Sequence, residues 1–153
     1  MKTIKWLILG LTLLFALSIN AQNKIKGIRI TMQFEDEANA KTYECNNSYF
    51  YKRDESVVDN KLNNYDMSLN CAGTPDQKQL EWFSNRNLKK SLKITIFKSG
   101  KKEREYLLKN ASVVVFSESG YSTDESGNSS LLYDISLLAD QVFIDGISMK
   151  ETK

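Results

Sequence analysis

The feature that most constrains this chain is the alternation of apolar and polar residues along several short stretches. In IRITMQF, residues 28–34, every second residue is apolar, and the same period recurs in YECNNSYFYKR, YDMSLNC and SLKITIFK. A period of two places successive side chains on opposite faces of a β-strand. The chain is therefore predicted to be mainly β, with strands that bury one face.

Two further segments extend this pattern beyond SLKITIFK. Ser99 and Gly100 predict a tight turn, and EREYLLKN predicts the strand that returns from it. ASVVVFSE then predicts a separate strand, and its unbroken apolar run, residues 113–116, is typical of a strand covered on both faces.

The last third of the chain is predicted to contain one loop and two strands. SESGYSTDESGNSS is interpreted as a polar loop, and LLYDISLLADQVFIDGISM as two short strands on either side of Asp140 and Gln141. About seven short antiparallel strands favour closure into a small barrel or sandwich, because closure removes exposed strand edges.

One short helix is predicted in TPDQKQLEWFSNRN. Thr74 is the expected cap, Pro75 suits the first helical position, and Gln77 stands where a capping box places Glu or Gln. Its predicted apolar side, laid against the sheet, consists of Leu80, Phe83 and the neighbouring Trp82, which is expected to fill the core.

Two cysteines lie in the second and third predicted strands. If these strands form an antiparallel hairpin centred near Val58, Cys45 lies opposite Cys71 and Tyr49 lies opposite Met67. Directly opposed cysteines can form a disulfide, and an oxidising compartment would favour it. The alternative is a pair of reduced cysteines that act as small buried apolar residues.

The N-terminus has the layout of a secretory signal. Two lysines precede an apolar run over residues 6–19, which is short for a membrane span. Cleavage is expected after Ala21, or alternatively after Ser18. The prediction is a signal peptide at residues 1–21, a single domain at residues 22–153, and no stable membrane anchor once the signal is removed.

The composition argues against most enzyme classes. Histidine is absent, so the commonest general base and metal ligand are missing, and two cysteines without histidine cannot form a structural zinc site. No cofactor or metal is predicted. The remaining candidates for acid–base chemistry are carboxylates whose spacing demands no pair, such as Asp36, Glu37, Asp124, Glu125, Asp134 and Asp140.

The charges do not predict a nucleic-acid partner. Removal of residues 1–21 would leave 19 basic and 19 acidic residues. The basic residues crowded around the predicted hairpin are interpreted as guards of exposed strands, without the aromatic residues that stack on bases. They are Lys89, Lys90, Lys93, Lys98, Lys101, Lys102 and Arg104.

Four segments together resemble the tube proteins of type VI secretion systems, the haemolysin-coregulated (Hcp) family, over residues 28–149. They are ECNNSYFYKRD, DQKQLEWFSN, the hairpin LKITIFKSGKKEREYLLKNASVVVFSES with its pair Asn110 and Ala111, and YDISLLADQVFIDGI with Gly146. The order and spacing of these segments carry the resemblance, since no one of them is specific.

The resemblance implies a small antiparallel β-barrel with one flanking helix and a structural, non-enzymatic role. It implies a homo-oligomer in which six-membered rings stack into a hollow tube, with other proteins of the secretion apparatus as further partners. The long loop between the second and third strands would contact a neighbouring subunit; an ordinary mobile connection is the alternative. The residues implied are Arg53, Asp54, Glu55, Val57, Val58, Lys61 and Asn63.

The predicted signal peptide departs from this family, whose tube proteins lack one. The chain is then either an exported relative with another use for the barrel, or a protein whose part in secretion begins after export. The competing hypothesis is an exported monomeric binding module that captures a small molecule or a protein, in the periplasm or outside the cell.

Overall fold

A computed structural model describes residues 27–35, 39–52, 65–123 and 126–149. The predicted signal peptide and the predicted contact loop both lie outside these residues. In the described part, all strands belong to one antiparallel sheet, accompanied by one short helix. The elements are β1 (Ile28–Phe34), β2 (Tyr43–Lys52), β3 (Tyr65–Ala72), α1 (Gln77–Ser84), β4 (Lys90–Lys98), β5 (Lys101–Thr123), β6 (Ser129–Ala139), β7 (Gln141–Ile144) and β8 (Ile147–Ser148).

Six of the eight strands close into a ring. The strand order is β4-β1-β2-β3-β6-β5, and an additional pairing between β4 and β5 joins its two ends. β7 continues the sheet along β5, and β8 pairs with β7. The predicted fold, a small antiparallel barrel with one helix, is confirmed.

β5 is a single strand of 23 residues, so the prediction of two separate strands followed by a long loop is wrong. Its first half pairs with β4 and its second half pairs with β6, up to Thr123 opposite Ser129. Asn110 lies between the two halves with φ of 53°, a left-handed conformation that asparagine tolerates better than most residues. The chain can therefore bend there without ending the strand. β6 is also longer than predicted, with 11 residues.

The core consists of the inward side chains of the ring. The alternation predicted in β1, β3 and β4 is confirmed, and Met32, Leu92 and Ile94 are completely buried. The prediction that residues 113–116 are covered on both faces is wrong within one chain, because Val113 is buried but Val115 is 52% exposed. Val115 points to the outside of the barrel, where no described element of this chain covers it.

A β-bulge changes the predicted arrangement of β2. Cys45 does lie opposite Cys71, as predicted, but the register shifts at Asn46, and Tyr49 lies opposite Ser68 rather than Met67. A shift of one residue turns every later side chain to the other face. Phe50 therefore packs on the core, whereas Tyr49 and Tyr51 are exposed.

The helix begins later than predicted. Its N-cap is Asp76, whose carboxylate accepts a hydrogen bond from the Gln79 amide, and the Gln79 side chain accepts one from the Asp76 amide. Asp76 and Gln79 thus form the capping box, so the assignment of Thr74, Pro75 and Gln77 is wrong.

The buried side of α1 also differs from the prediction. Gln79, Trp82 and Phe83 are buried, and their spacing of three and four residues places them on one helical face. Trp82 fills the core as predicted. Leu80 falls outside this face and is 45% exposed.

Candidate functional site

The outward side chains of β2, β3, β6 and β5 form a continuous surface, here called the outer sheet face. Its central row runs from Tyr49 through Ser68 and Ser136 to Val115, as the three strand registers require. Four adjacent strands make this row roughly 14 Å wide, because neighbouring strands lie about 4.8 Å apart. The row ends in an exposed apolar side chain at each edge.

Hydrogen bonds between side chains fix the middle of the outer sheet face. Asn46 donates to Asn70 at 3.2 Å, and Asn70 donates to Asp134 at 2.8 Å, so one network crosses three strands. In the central row, the hydroxyl oxygens of Ser68 and Ser136 lie 3.2 Å apart. These short side chains hold one another and give the surface a fixed polar centre.

The exposed apolar residues of this surface are Tyr49, Tyr51 and Val115, at 63%, 48% and 52% exposure. The Asn47 amide donates to the Tyr49 hydroxyl at 2.8 Å, which orients that ring. The uninterrupted alternation predicted for YECNNSYFYKR would put both tyrosines on the same face as Cys45, inside the barrel. The available signal was Asn47 itself, an amide that interrupts an otherwise apolar row.

The disulfide between Cys45 and Cys71 lies under this surface. Cys45 is 6% exposed and Cys71 is fully buried. The other predicted site residues, those of the contact loop from Arg53 to Asn63, lie outside the described residues.

The start of β2 is attached to α1 through Asp76. The Asp76 carboxylate accepts hydrogen bonds from Lys41 and from the Tyr43 hydroxyl, each at 2.9 Å. Burial alone would raise the pKa of the Asp76 carboxyl, but the hydrogen bonds from Lys41, the Gln79 amide and Tyr43 together lower it. The carboxylate therefore stays ionised and serves as both helix cap and tether.

Two buried hydrogen bonds fix the helix on the barrel. Gln79 donates to the Tyr133 hydroxyl at 2.9 Å, and the Trp82 indole donates to the Ala111 carbonyl at 3.3 Å. Burial raises the pKa of the Tyr133 hydroxyl, so it remains protonated. An open groove of about 650 Å³ lies between α1 and β5, and its apolar lining comes from Leu80, Phe83 and Phe116.

The basic hairpin at the β4–β5 turn is largely balanced by acidic neighbours. The Nζ atom of Lys102 lies 3.4 Å from Oε2 of Glu105, and the Nε atom of Arg104 lies 3.0 Å from Oδ2 of Asp145. Lys89, at the base of the hairpin, lies 2.9 Å from Asp140. Neighbouring carboxylates reduce the positive potential that a polyanion would need.

The carboxylates considered for acid–base chemistry are not gathered into a pair among the described residues. Asp134 accepts from Asn70, and Asp140 pairs with Lys89. The remaining four, Asp36, Glu37, Asp124 and Glu125, lie outside the described ranges. Where side chains are described, no cluster of three or more metal-ligating residues is present.

The same part of the chain has no helix with the length and apolar character needed to cross a bilayer.

Comparison with known proteins identifies the fold. No family model matches the chain, and no curated protein matches its sequence. Among solved structures, Hcp1 from Salmonella typhimurium is similar with a TM-score of 0.58 and 13% identity, over 77% of this chain and 85% of that one.

Two further solved structures agree. Hcp1 from Flavobacterium johnsoniae has a TM-score of 0.54 and 16% identity, over 82% of this chain and 99% of that one. A type six secretion system protein has a TM-score of 0.52 and 12% identity, over 82% and 92% of the respective chains. The resemblance drawn from the sequence is thereby confirmed at the level of structure, and this chain has the Hcp fold.

Proposed function

We propose that the chain is a structural, non-enzymatic subunit that associates with copies of itself into a ring, as the basis of a tube. The observation that carries this proposal is the similarity of the closed barrel, with its flanking helix, to Hcp1 over most of both chains. Six subunits in each ring and head-to-tail stacking of rings are part of the proposal. The loop from Arg53 to Asn63 is proposed as a second contact between subunits.

The outer sheet face is the surface proposed to meet the next subunit. Tyr49, Tyr51 and Val115 expose apolar area around a hydrogen-bonded polar centre, the mixture that is common at protein interfaces. The site of contact on the neighbour is a different surface, because a ring is built from head-to-tail contacts. Copies of one chain can then close without a second component.

Export is proposed as the route to the place of assembly. The disulfide supports it, since such bonds persist in oxidising compartments. The periplasm or the exterior of the cell would then be the site of action, with other secretion-apparatus proteins as further partners.

Native mass spectrometry of the purified protein tests the proposal. We expect a species of several subunits, with six as the specific expectation. A protein that stays monomeric at high concentration would contradict the proposed association.

Two variants test whether the outer sheet face is the surface through which subunits associate. Val115→Glu on the outer sheet face is expected to lower the subunit number, whereas Ile147→Glu on β8, at a residue that is 71% exposed, is the matched control. If Val115→Glu still assembles into the same number of subunits, the proposal of a ring stands, but the outer sheet face is not its contact surface.

A monomeric binding module is the second candidate, and the groove beside α1 is the observation that favours it. The groove is open to solvent, and its lining by Leu80, Phe83 and Phe116 is apolar, as the linings of small-molecule sites commonly are. A ligand that raises the melting temperature of a monomer would support this function, and Leu80→Lys should abolish that shift.

A further inference from the structure

Six ladders of paired residues, here called joints, connect neighbouring strands of the ring. They differ in length, and the joint between β1 and β2 is the shortest. It consists of three residue pairs, Ile30 with Cys45, Thr31 with Glu44 and Met32 with Tyr43. The other five joints contain between seven and ten pairs each. Closure of the barrel therefore depends on a short ladder between β1 and β2.

The β2–β3 ladder is interrupted next to the end of this short joint. Cys45 makes the last pair with β1 and also lies opposite Cys71 of β3. The bulge at Asn46 follows at once, so no regular pair connects β2 to β3 at that residue. Beyond it, β2 pairs with β3 alone among the described strands. The β1–β2 ladder thus ends, and the β2–β3 ladder is interrupted, at or next to Cys45. The disulfide joins β2 to β3 at this same residue.

Two side-chain links across the short joint are exposed on the outside of the barrel. Arg29 binds Glu44 with its Nε atom 3.0 Å from Oε1, and Gln33 donates to Thr42 at 2.8 Å. Exposed ion pairs contribute little to stability. Inside the barrel, the edge-to-face contact of Phe34 with Tyr43 remains, with ring centroids 5.9 Å apart.

We infer that the Cys45–Cys71 disulfide is a redox-sensitive closure for the barrel: reduction opens the ring between β1 and β2 while the rest of the sheet stays paired. A dithiol reductant supplies two electrons and two protons. One of its thiolates attacks a bridging sulfur to form a mixed disulfide, and the second displaces the protein thiol. The products are two cysteine thiols and the oxidised cyclic reductant.

The inference concerns one chain and holds whether or not copies associate. In a reducing compartment, β2 is held by three pairs with β1, by the interrupted ladder with β3, and by the contacts of Lys41 and Tyr43 with Asp76. The barrel then closes fully only after oxidation, which makes closure specific to an oxidising compartment. Because both cysteines are buried, the reductant reaches them only when β2 moves away.

Hydrogen exchange at backbone amides, residue by residue, tests this inference. We compare the oxidised protein with the same protein reduced by dithiothreitol, which keeps both sulfur atoms in place. Among residues 30–32 and 43–45, the amides that bond across the β1–β2 ladder should lose protection at least about tenfold on reduction, while amides bonded across the β1–β4, β3–β6 and β5–β6 ladders change by less than about threefold.

Ile135→Val provides the matched control. Ile135 is fully buried in β6, far in sequence from the short joint, and the variant weakens the whole barrel without cutting the disulfide. It should raise exchange in all ladders together. If reduction produces that same uniform pattern, complete unfolding, or no change in exchange, local opening between β1 and β2 is overturned.

Discussion

The two neighbours of β1 are held in very different ways. β4 pairs with the whole length of β1, from Ile28 opposite Lys98 to Phe34 opposite Leu92, without a bulge. β2 pairs with β1 over three residues only and then turns away at its bulge. β2 is also attached to β3 by the disulfide and to α1 through Asp76. β1 thus has a long regular ladder on one side, and on the other a short ladder to a strand that its other neighbours hold in place.

The largest expected effect comes from the regular side. Ile94 is fully buried in β4, and Ile94→Ala should lower the free energy of unfolding by about 2–5 kcal/mol, because it removes buried area and leaves a cavity. Urea denaturation measures the change. Lys93→Ala on the opposite face of the same strand should change stability by less than about 0.5 kcal/mol. Equal effects of the two variants would contradict the assigned faces.

Loss of the disulfide tests the attachment of β2 to β3. Cys71→Ser should lower the free energy of unfolding by about 2–4 kcal/mol, since it frees a loop whose ends are 26 residues apart. Denaturation under oxidising conditions measures this loss. Adding a dithiol should destabilise the wild-type protein but leave the variant unchanged. Unchanged stability in Cys71→Ser would mean that the bond contributes nothing to β2.

Asp76 tests the tether between β2 and α1. Asp76→Ala should lower the free energy of unfolding by about 0.5–2 kcal/mol, because it removes the helix cap together with the partner of Lys41 and Tyr43. Asp76→Asn keeps the cap through Oδ1 but replaces Oδ2, the acceptor for Lys41 and Tyr43, with an amide nitrogen, so its effect should be smaller than that of Asp76→Ala. Thermal or urea denaturation of both variants measures the difference.

The same pair of variants predicts a pH dependence. The pKa of Asp76 is lowered in the folded protein from its ordinary value of 3.8. Its charge therefore contributes stability above pH 3.8, and this contribution is lost as the pH falls through the lowered folded value. The advantage of wild type over Asp76→Asn should be constant near neutral pH and disappear in acid. An advantage that persists in strong acid would exclude the carboxylate as its source.

The smallest effect is expected from the exposed ion pair across the short joint. Glu44→Gln removes the partner of Arg29 and should lower the free energy of unfolding by less than about 1 kcal/mol, because both side chains are largely solvated. High salt should reduce the difference from wild type. A loss as large as that from Cys71→Ser would show that this exposed pair, rather than the disulfide, holds β2.

The regular parts of the barrel could be predicted from sequence because their faces repeat without interruption. β1 and β4 follow the alternation throughout, and Cys45 lies opposite Cys71 as the hairpin centred near Val58 predicted. Past Asn46 the outcome depends on which aromatic residues are buried. Phe50 packs between Tyr65 and Tyr106, with ring centroids at 6.3 and 5.4 Å, and needs no hydrogen-bond partner.

The alternative arrangement would bury two tyrosines instead of one phenylalanine. The hydroxyls of Tyr49 and Tyr51 would then need partners inside the barrel, whereas the bulge leaves them at the surface. This balance depends on neighbours that the strand's own sequence does not contain. The outer sheet face therefore could not be predicted from the alternation alone.

Closure of the ring also sets the order in which the strands can pair during synthesis. β1 cannot pair with β4, nor β3 with β6, until the later strand has been synthesised. The paired residues are about 65 positions apart in each case, such as Ile30 with Ile96 and Leu69 with Ile135. Contacts between distant segments make folding slow, because long loops must close first. A nascent chain that has not reached Ala139 leaves its apolar strand faces uncovered, so the barrel stays open until β6 has been synthesised.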